Sequence, residues 1–448
     1  MGKFFGTDGV RGVAGKVLTA DLGMRLGQAA GTVFRDEAQD GSITVVIGRD
    51  SRISGQMLEA ALAAGFTSVG VNVINAGIVP TPGVAFLVRR YHAAAGAVIS
   101  ASHNPYQDNG IKFFNFEGKK LSDAQEAAIE RLLETSNAIP EASFGEIGRV
   151  SADYEAVDRY TDYLKDLIHW QAPGLRAVID CANGAASPIA RSLFEGSGME
   201  VIMLSDAPDG ININNHCGST HTEALQEAVV KNHANVGLAF DGDADRFLAV
   251  DENGQLVDGD HLMAIYALAL KEAGALKGDQ LVATVMSNMG LKIAMKKAGI
   301  SFIETGVGDR YVNEKMQETG AILGGEQSGH IIFRDFNSTG DGSISAIMLL
   351  NIMKQTGKPL SELAKAMTSL PQVLVNVPVC RKEGWKEEPS IVNAIAQANA
   401  VLGETGRVLV RASGTENLLR VMVEGADQEQ INRLAQAIAD AVKGAIGA

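Results

Sequence analysis

Three times along this chain the same order recurs: an apolar run, a stretch with helical spacing, and a second apolar run that ends in a polar loop. Ile43–Ile47 leads into Gly48-Arg49-Asp50, and Ala95-Gly-Ala-Val-Ile99 leads into Ser100-Ala-Ser-His-Asn-Pro105. Ala177–Asp180 leads into Cys181-Ala-Asn-Gly184, and Val236–Phe240 into Asp241-Gly-Asp-Ala-Asp-Arg246. Leu281–Val285 leads into Met286–Gly290, and Ala321–Leu323 into Gly324-Gly-Glu-Gln-Ser-Gly-His330. Short strands alternating with helices build open α/β sheets, so the repeat predicts three similar α/β modules. Their expected limits are 1–153, 154–254 and 255–368.

Within the first module Leu22, Leu26, Ala29 and Val33 share a helical face after Thr19, and Leu58, Leu62 and Phe66 do so after Ser54. Both hydroxyls are read as helix caps. Val69–Ile74 reads as a strand, and Pro80-Thr-Pro82 as the end of that unit. After Pro371 the pattern changes. Val373–Val379 and Val408–Val410 are strand-like, and Asp427 caps a helix carrying Ile431, Leu434, Ile438 and Val442. A smaller C-terminal domain of different, α+β type is expected over 369–448.

Composition narrows the function. The 448 residues, 46% hydrophobic and 21% charged, suit a soluble globular enzyme of about three domains. A formal charge of −14 argues against nucleic-acid or anionic-membrane partners, so any phosphate must be met by local basic clusters. Cys181, Cys217 and Cys380 are far apart and without Cys-x-x-Cys spacing, which suggests neither a disulfide framework nor a zinc site and fits a reducing cytoplasm. Met1–Gly15 lacks the pattern of a signal peptide, and Leu262–Leu270 is too short to span a bilayer.

Ligands of open α/β sheets collect beyond the carboxyl ends of strands, where Ser102, Asp241 and Glu326 are expected to fall. Ser102 opens a loop, with His103 and Asn104 beside it and Lys112 ten residues on, so its hydroxyl is placed like a nucleophile on a rigid support. The bland alternative is an Asx-type turn. No hydrolase triad is indicated: the G-x-S-x-G elbow is absent, and His103, as the next residue, is poorly placed to be its base. Asp241, Asp243 and Asp245 concentrate three carboxylates in five residues, a cost that a hard divalent cation would relieve. An EF-hand is the alternative there, with Glu252 at its twelfth position. Arg246 stands where that loop needs glycine, and a strand precedes it.

Arg411-Ala-Ser-Gly-Thr-Glu-Asn-Leu-Leu-Arg420 offers two guanidiniums, two hydroxyls and a glycine, either a phosphate cradle or a salt-bridged turn. Neither a Walker lysine motif nor G-x-G-x-x-G after a strand is present, so a nucleotide cofactor is not supported. Gly325–His330 brings a carboxylate, a hydroxyl and an imidazole suited to sugar hydroxyls, or forms a plain polar turn. Gly306-Val-Gly-Asp-Arg310 adds an arginine with the same ambiguity.

Taken in this order, Thr7-Asp-Gly-Val-Arg-Gly12, Ser100–Pro105, Asp241–Arg246, Gly325–His330 and Arg411–Glu416 resemble the α-D-phosphohexomutase family across almost the whole chain. The resemblance implies three α/β modules with mixed sheets and a C-terminal domain around one cleft. It implies that Ser102 carries a phosphate and that Mg²⁺ binds Asp241, Asp243, Asp245 and an oxygen of that phosphoserine. Phosphoserine 102 would pass its phosphoryl group to O1 of glucosamine 6-phosphate. The resulting sugar bisphosphate would turn over and return its 6-phosphoryl group, leaving glucosamine 1-phosphate.

Phe5–Gly12, Gly306–Val312 and Gln327 point to the amino sugar within that family. Arg246 would offset charge, and Lys112, Arg11 and His103 would assist proton movement or stabilise the transition state. Arg411, Ser413, Gly414, Thr415 and Arg420 would hold the non-reacting phosphate; Glu326 and Ser328 would grip hydroxyls, with His330 nearby and Arg310 in the adjoining loop. Asn417 stands where many relatives carry proline. Closure about a hinge near Ser369–Gln372 would exclude water. Similar enzymes suggest a homodimer and a role in UDP-N-acetylglucosamine and cell-wall synthesis. Rival expectations are a mannose or glucose phosphate mutase, a metal-dependent sugar phosphatase, and a non-enzymatic Ca²⁺-binding module.

Overall fold

The interior of Thr44–Arg49 is apolar on both sides, and a strand sends successive side chains to opposite faces. Both faces must therefore be covered. Val45 and Ile47 enter one core with Leu26, Phe34, Leu62 and Phe66, while Val46 enters another with Val84, Leu87 and Val88. This computed structural model describes residues 4–6, 8–38, 43–135, 139, 142–168, 171–413 and 416–448.

Two compact units divide the chain: Met1–Val285 with Ser301–Ala366, and Met286–Ile300 with Met367–Ala448. The first unit holds three mixed sheets. One comprises β1 (Val10–Val13), β2 (Thr44–Arg49), β3 (Asn72–Ile78), β4 (Ala95–Ile99), β5 (Asp108–Asn115) and β6 (Val150–Ala152), in the order β1-β5-β4-β2-β3-β6. The next comprises β7 (Arg176–Asp180), β8 (Glu200–Leu204), β9 (Val236–Phe240), β10 (Phe247–Asp251) and β11 (Leu256–Val257), ordered β11-β10-β9-β7-β8. The third comprises β12 (Gln280–Thr284), β13 (Ser301–Thr305), β14 (Leu323–Gly325) and β15 (Ile331–Phe333), ordered β13-β12-β14-β15.

The second unit carries a three-stranded antiparallel sheet, β16 (Gln372–Pro378), β17 (Arg407–Ala412) and β18 (Leu418–Glu424), in the order β16-β18-β17. Val377, Leu419, Val421 and Val423 pack there with Ile431, Ile438 and Val442 of the helix Gln428–Ile446. Asp427 caps that helix by accepting from the Gln430 amide at 3.0 Å. No helix among the described residues is long and apolar enough to cross a membrane.

Several local expectations need correction. Pro80-Thr-Pro82 does not end a unit but starts the helix Thr81–Arg90, because proline in the first turn lacks only an amide that has no helical partner there. Ser54 precedes the helix Gly55–Ser68 with helical backbone angles and makes no cap; its hydroxyl accepts from Asn109 Nδ2 at 2.9 Å instead. The strand expected from Val69 begins only at Asn72, while Val69 and Val71 are buried ahead of it.

Helices Ala20–Ala38 and Gly55–Ser68 meet through glycine. A β-carbon on Gly65 would stand 2.0 Å from the Met24 carbonyl oxygen, so the backbones could not keep their spacing. Alanine is ordinarily the better helix former by about 1 kcal/mol, but overpacking of this kind costs about 1–3 kcal/mol. Gly65→Ala should therefore lower the midpoint of thermal unfolding; a raised midpoint would show that the helices can part freely.

Candidate active site

In each sheet of the first unit one strand pairs parallel on one side and antiparallel on the other: β4 between β2 and β5, β9 between β7 and β10, β14 between β12 and β15. The loops that make those three reversals are 100–107, 241–246 and 326–330. They sit at the carboxyl ends of the parallel strands, as expected of ligand sites in such sheets.

Ser102 is buried, at 1% exposure, and held at φ 51°, in the left-handed region that a residue with a β-carbon disfavours. Its Oγ donates to Asp241 Oδ2 at 2.6 Å. His103 Nδ1 lies 3.4 Å from the same Oγ, yet it also lies 3.0 Å from Arg246 Nη1, which competes for its lone pair. Burial, Arg246 and Arg11 bring the His103 pKa down to about 4, so the ring is neutral at pH 7.

Asp241, Asp243 and Asp245 can bring one oxygen each within 4.8 Å of one another, and all three are buried. Burial and the two neighbouring charges push Asp241 well above the usual carboxylate range. Burial pushes Asp243 the same way, but Lys112 and the Thr81 hydroxyl, 3.0 and 2.7 Å from its Oδ2, hold it well below that range. Asp243 Oδ1 and Asp245 Oδ1 are buried with no hydrogen-bond partner. Orphaned anionic oxygens beside a third carboxylate and a serine oxygen are a donor set for a small hard cation. The residues fit Mg²⁺. They do not fit an EF-hand: Asp241–Arg246 turns between paired strands, and Glu252 lies past β10, bonded to Ser361.

Lys112 is 2% exposed and lies 3.0 Å from both Asp8 and Asp243 and 3.7 Å from Asp245. Burial alone would favour its neutral form; the three carboxylates outweigh it and raise its pKa. Arg11 pairs with Asp8.

From Lys112 a ring of alternating charge closes through Asp8, Lys120 and Asp309, which were not among the expected site residues, and through His330, which was. Asp8 pairs with Lys120, Lys120 with Asp309 at 2.7 Å, Asp309 with His330 at 3.5 Å, and His330 with Asp245 at 3.6 Å. Burial and the Gly340 amide, 3.1 Å from Nε2, disfavour a charged His330. Asp245, Asp309 and Glu326 outweigh them and bring its pKa up to about 9. Asp8 and Asp309 lie inside quoted motifs, but Lys120 carries no sequence signal.

Glu326 is half-buried, accepts from the Gly308 amide at 3.2 Å and is pushed up by burial. Ser328 is exposed at the tip of its turn, and Gln327 Nε2 reaches Asp258 at 3.2 Å. Arg310 is engaged elsewhere than expected. Its guanidinium meets Asp123 at 2.7 Å, Glu314 at 3.0 Å and Glu126 at 3.7 Å, so three carboxylates already compete for it.

In the second unit, Arg411 and Arg420, read from the sequence as parts of one loop, lie on strands: they face each other across β17 and β18. Like charges so paired repel unless an anion lies between them. Arg420 Nε is buried without a partner, and Ser413 Oγ accepts from the Glu416 amide at 3.3 Å. Lys382, absent from the sequence expectations, donates to the Ser413 carbonyl at 3.1 Å. Gly414 and Thr415 lie outside the described residues, as does Thr7.

Comparison with known proteins matches this arrangement to one family. Residues 2–139, 158–254 and 258–370 match the three alpha/beta/alpha domains of phosphoglucomutase/phosphomannomutase, and 374–441 match its C-terminal domain. The chain belongs to the phosphoglucomutase/phosphomannomutase family, and is by that membership an isomerase that moves a phosphoryl group. Within the family it is similar to the phosphoglucosamine mutases of Rhodococcus opacus and Clostridioides difficile, 52% and 51% identical over 99% of each chain. A phosphoglucomutase/phosphomannomutase family protein from Burkholderia thailandensis superposes with a TM-score of 0.81 at 28% identity, covering 98% of this chain and 97% of that one. The Aspergillus fumigatus N-acetylphosphoglucosamine mutase, solved with GlcNAc-6P and magnesium, shares the fold with a TM-score of 0.68 at 19% identity, covering 99% and 96%.

If the orphaned carboxylates are the cation site, calorimetric titration with MgCl₂ should find one site on the protein. Asp243→Asn should weaken it by about tenfold or more. Equal affinity in the two proteins would remove Asp243 from the site.

Proposed function

We propose that this chain interconverts glucosamine 6-phosphate and glucosamine 1-phosphate, the reaction of a phosphoglucosamine mutase, and so feeds UDP-N-acetylglucosamine and cell-wall synthesis. The observation that carries the site assignment is the 2.6 Å bond from the buried Ser102 Oγ to Asp241, beside two carboxylate oxygens that lack partners. The substrate rests on the full-length relatives.

In the proposed mechanism Ser102 is the phosphoryl carrier. The P–Oγ bond of phosphoserine breaks as a bond forms from phosphorus to O1 of the substrate; the proton leaving O1 is balanced by one gained at Oγ. After the bisphosphate turns over, the P–O6 bond breaks, phosphorus returns to Oγ, and the proton balance reverses. Asp241, Asp243 and Asp245, with phosphorylated Ser102, would hold Mg²⁺, which would supply charge neutralisation for the transferred group.

Lys112 and Arg246 add fixed positive charge, since neighbouring carboxylates raise both above their ordinary values against the effect of burial. Arg11 supports Lys112 through Asp8, and the neutral His103 offers a ring nitrogen beside Oγ without adding charge. Glu326, Ser328 and His330 take sugar hydroxyls. Arg411, Ser413 and Arg420, with Gly414 and Thr415, take the phosphate that is not reacting. Arg310, whose Nε and Nη1 meet Glu314 and Asp123, would contribute a guanidinium to the substrate from the adjoining loop.

Intact-protein mass should find phosphate on Ser102, and the phosphorylated protein with Mg²⁺ should convert glucosamine 6-phosphate to the 1-phosphate. Ser102→Ala should reduce turnover by about a thousandfold or more. Faster turnover of glucose or mannose phosphate would change the substrate and keep the mechanism. Inorganic phosphate released as fast as substrate disappears would make the protein a phosphatase.

A further inference from the structure

Arg52 is buried at 1% exposure, yet no part of the phosphoryl transfer calls on it. A guanidinium has five N–H donors, and here each has an acceptor. Nε donates to Asp50 Oδ2 at 2.8 Å. Nη1 donates to the carbonyls of Pro105 and, at 3.0 Å, Asp108; Nη2 donates to those of Ser102 at 2.9 Å and Asn104 at 2.8 Å. Three of the five acceptors are backbone oxygens of the loop that carries Ser102, and a fourth is that of Asp108, where β5 begins. No donor remains for a ligand.

The same loop is held from two other directions. Asn214 gives both amide hydrogens to it, reaching the carbonyls of Ser102 at 2.8 Å and Asn104 at 3.0 Å. Asp50 Oδ2 also accepts from Ser100 Oγ at 2.7 Å, and Ser100 Oγ in turn accepts from the Ser102 amide at 2.9 Å. Both peptide groups of Ser102 are thus fixed, the N–H through Ser100 and Asp50, the C=O through Arg52 and Asn214. Between them Ser102 sits at φ 51° with its Oγ on Asp241. A strained φ persists only where its surroundings over-determine it.

We infer that Arg52 and Asn214 are positioning residues of the phosphoryl transfer, which hold Ser102 in its left-handed conformation so that Oγ faces the carboxylate triad, and touch neither substrate nor cation. The inference rests on Ser102 being the phosphoryl carrier. Released, Ser102 can relax toward ordinary φ and swing its Oγ off line, and a displacement of about 1 Å at a reacting centre costs about a hundredfold in rate.

Asn214→Gly is the cleaner test. Asn214 itself has φ 56°, which glycine adopts without strain, so the variant removes the amide and spares the backbone. Arg52→Lys replaces a planar five-donor fork by one ammonium that cannot reach four carbonyls. Both proteins should be measured fully phosphorylated, as checked by intact mass, with kcat, KM, half-activating Mg²⁺ concentration and thermal midpoint recorded.

For Asn214→Gly the expected result is kcat lower by about tenfold to a hundredfold, more Mg²⁺ needed for half-activation, KM within about twofold of the parent, and little change in thermal midpoint. Arg52→Lys should lose at least as much. A folded variant that keeps kcat within about twofold, or loses activity through KM alone, overturns the inference; should Arg52→Lys not fold, Asn214→Gly decides it. If the parent protein transfers phosphate to no hexose phosphate, the proposed function fails instead. Positioning is then read from the Mg²⁺-dependent loss of phosphate from Ser102 to water, which the variant should slow and which an unchanged rate would refute.

Discussion

Three carboxylates buried together cannot all stay ionised without compensation, and much of the polar architecture of the first unit is that compensation. Lys112 is surrounded by Asp8, Asp243 and Asp245. The negative charge this leaves on Asp8 is shared with Lys120, then Asp309 and His330, until the ring returns to Asp245. Asp8, Lys112, Lys120, Asp309 and His330 are each favoured in the charged form by their neighbours, against the burial that would neutralise them singly. Asp243 Oδ1 and Asp245 Oδ1 still lack a hydrogen-bond partner, which suits a cation and the phosphate that a cation attracts. A protein of formal charge −14 can handle anionic substrates because its positive charge is fixed where the anion goes.

The repeat along the chain explains how such a site can be assembled. Each sheet of the first unit contributes the loop at the same topological point, where a parallel strand reverses into an antiparallel neighbour. One loop brings Ser102, the proposed phosphoryl carrier, one the carboxylates proposed to hold a cation, and one the groups proposed to take sugar hydroxyls. Rigid β-ladders on both sides of each reversal allow a 2.6 Å contact between Ser102 and Asp241, far apart in sequence, to be set by sheet geometry rather than by a flexible linker.

Much of this was legible from local sequence because the chemistry is local. Asp241, Asp243 and Asp245 crowd one turn, and Ser102 follows an apolar strand. What escaped depends on long-range pairing. Lys120 is one of two adjacent lysines just past a turn, and only the folded chain brings it to Asp8 and Asp309. Arg52 was not singled out, because its five acceptors lie on other segments or on Asp50. Other misses came from residues with two uses. Pro80 and Pro82 can end a structure or open a helix, and Ser54 can cap a helix or accept from Asn109. Arg420 read as loop because the sequence shows its neighbours in line, whereas β18 turns them back against β17.

The segments that hold Ser102 also impose an order in time. The first sheet ends with β6 at Ala152, and by then the ribosome has made the serine, Asp50 and Arg52 but neither Asn214 nor Asp241. Ser102 precedes Asp241 by 139 residues, an interval of roughly 7–28 s at about 5–20 residues per second. Through that interval the nascent chain holds a serine without its carboxylate partner. A chain cut short before the loop 241–246 would hold Ser102 without the carboxylate that its hydroxyl meets in the whole protein.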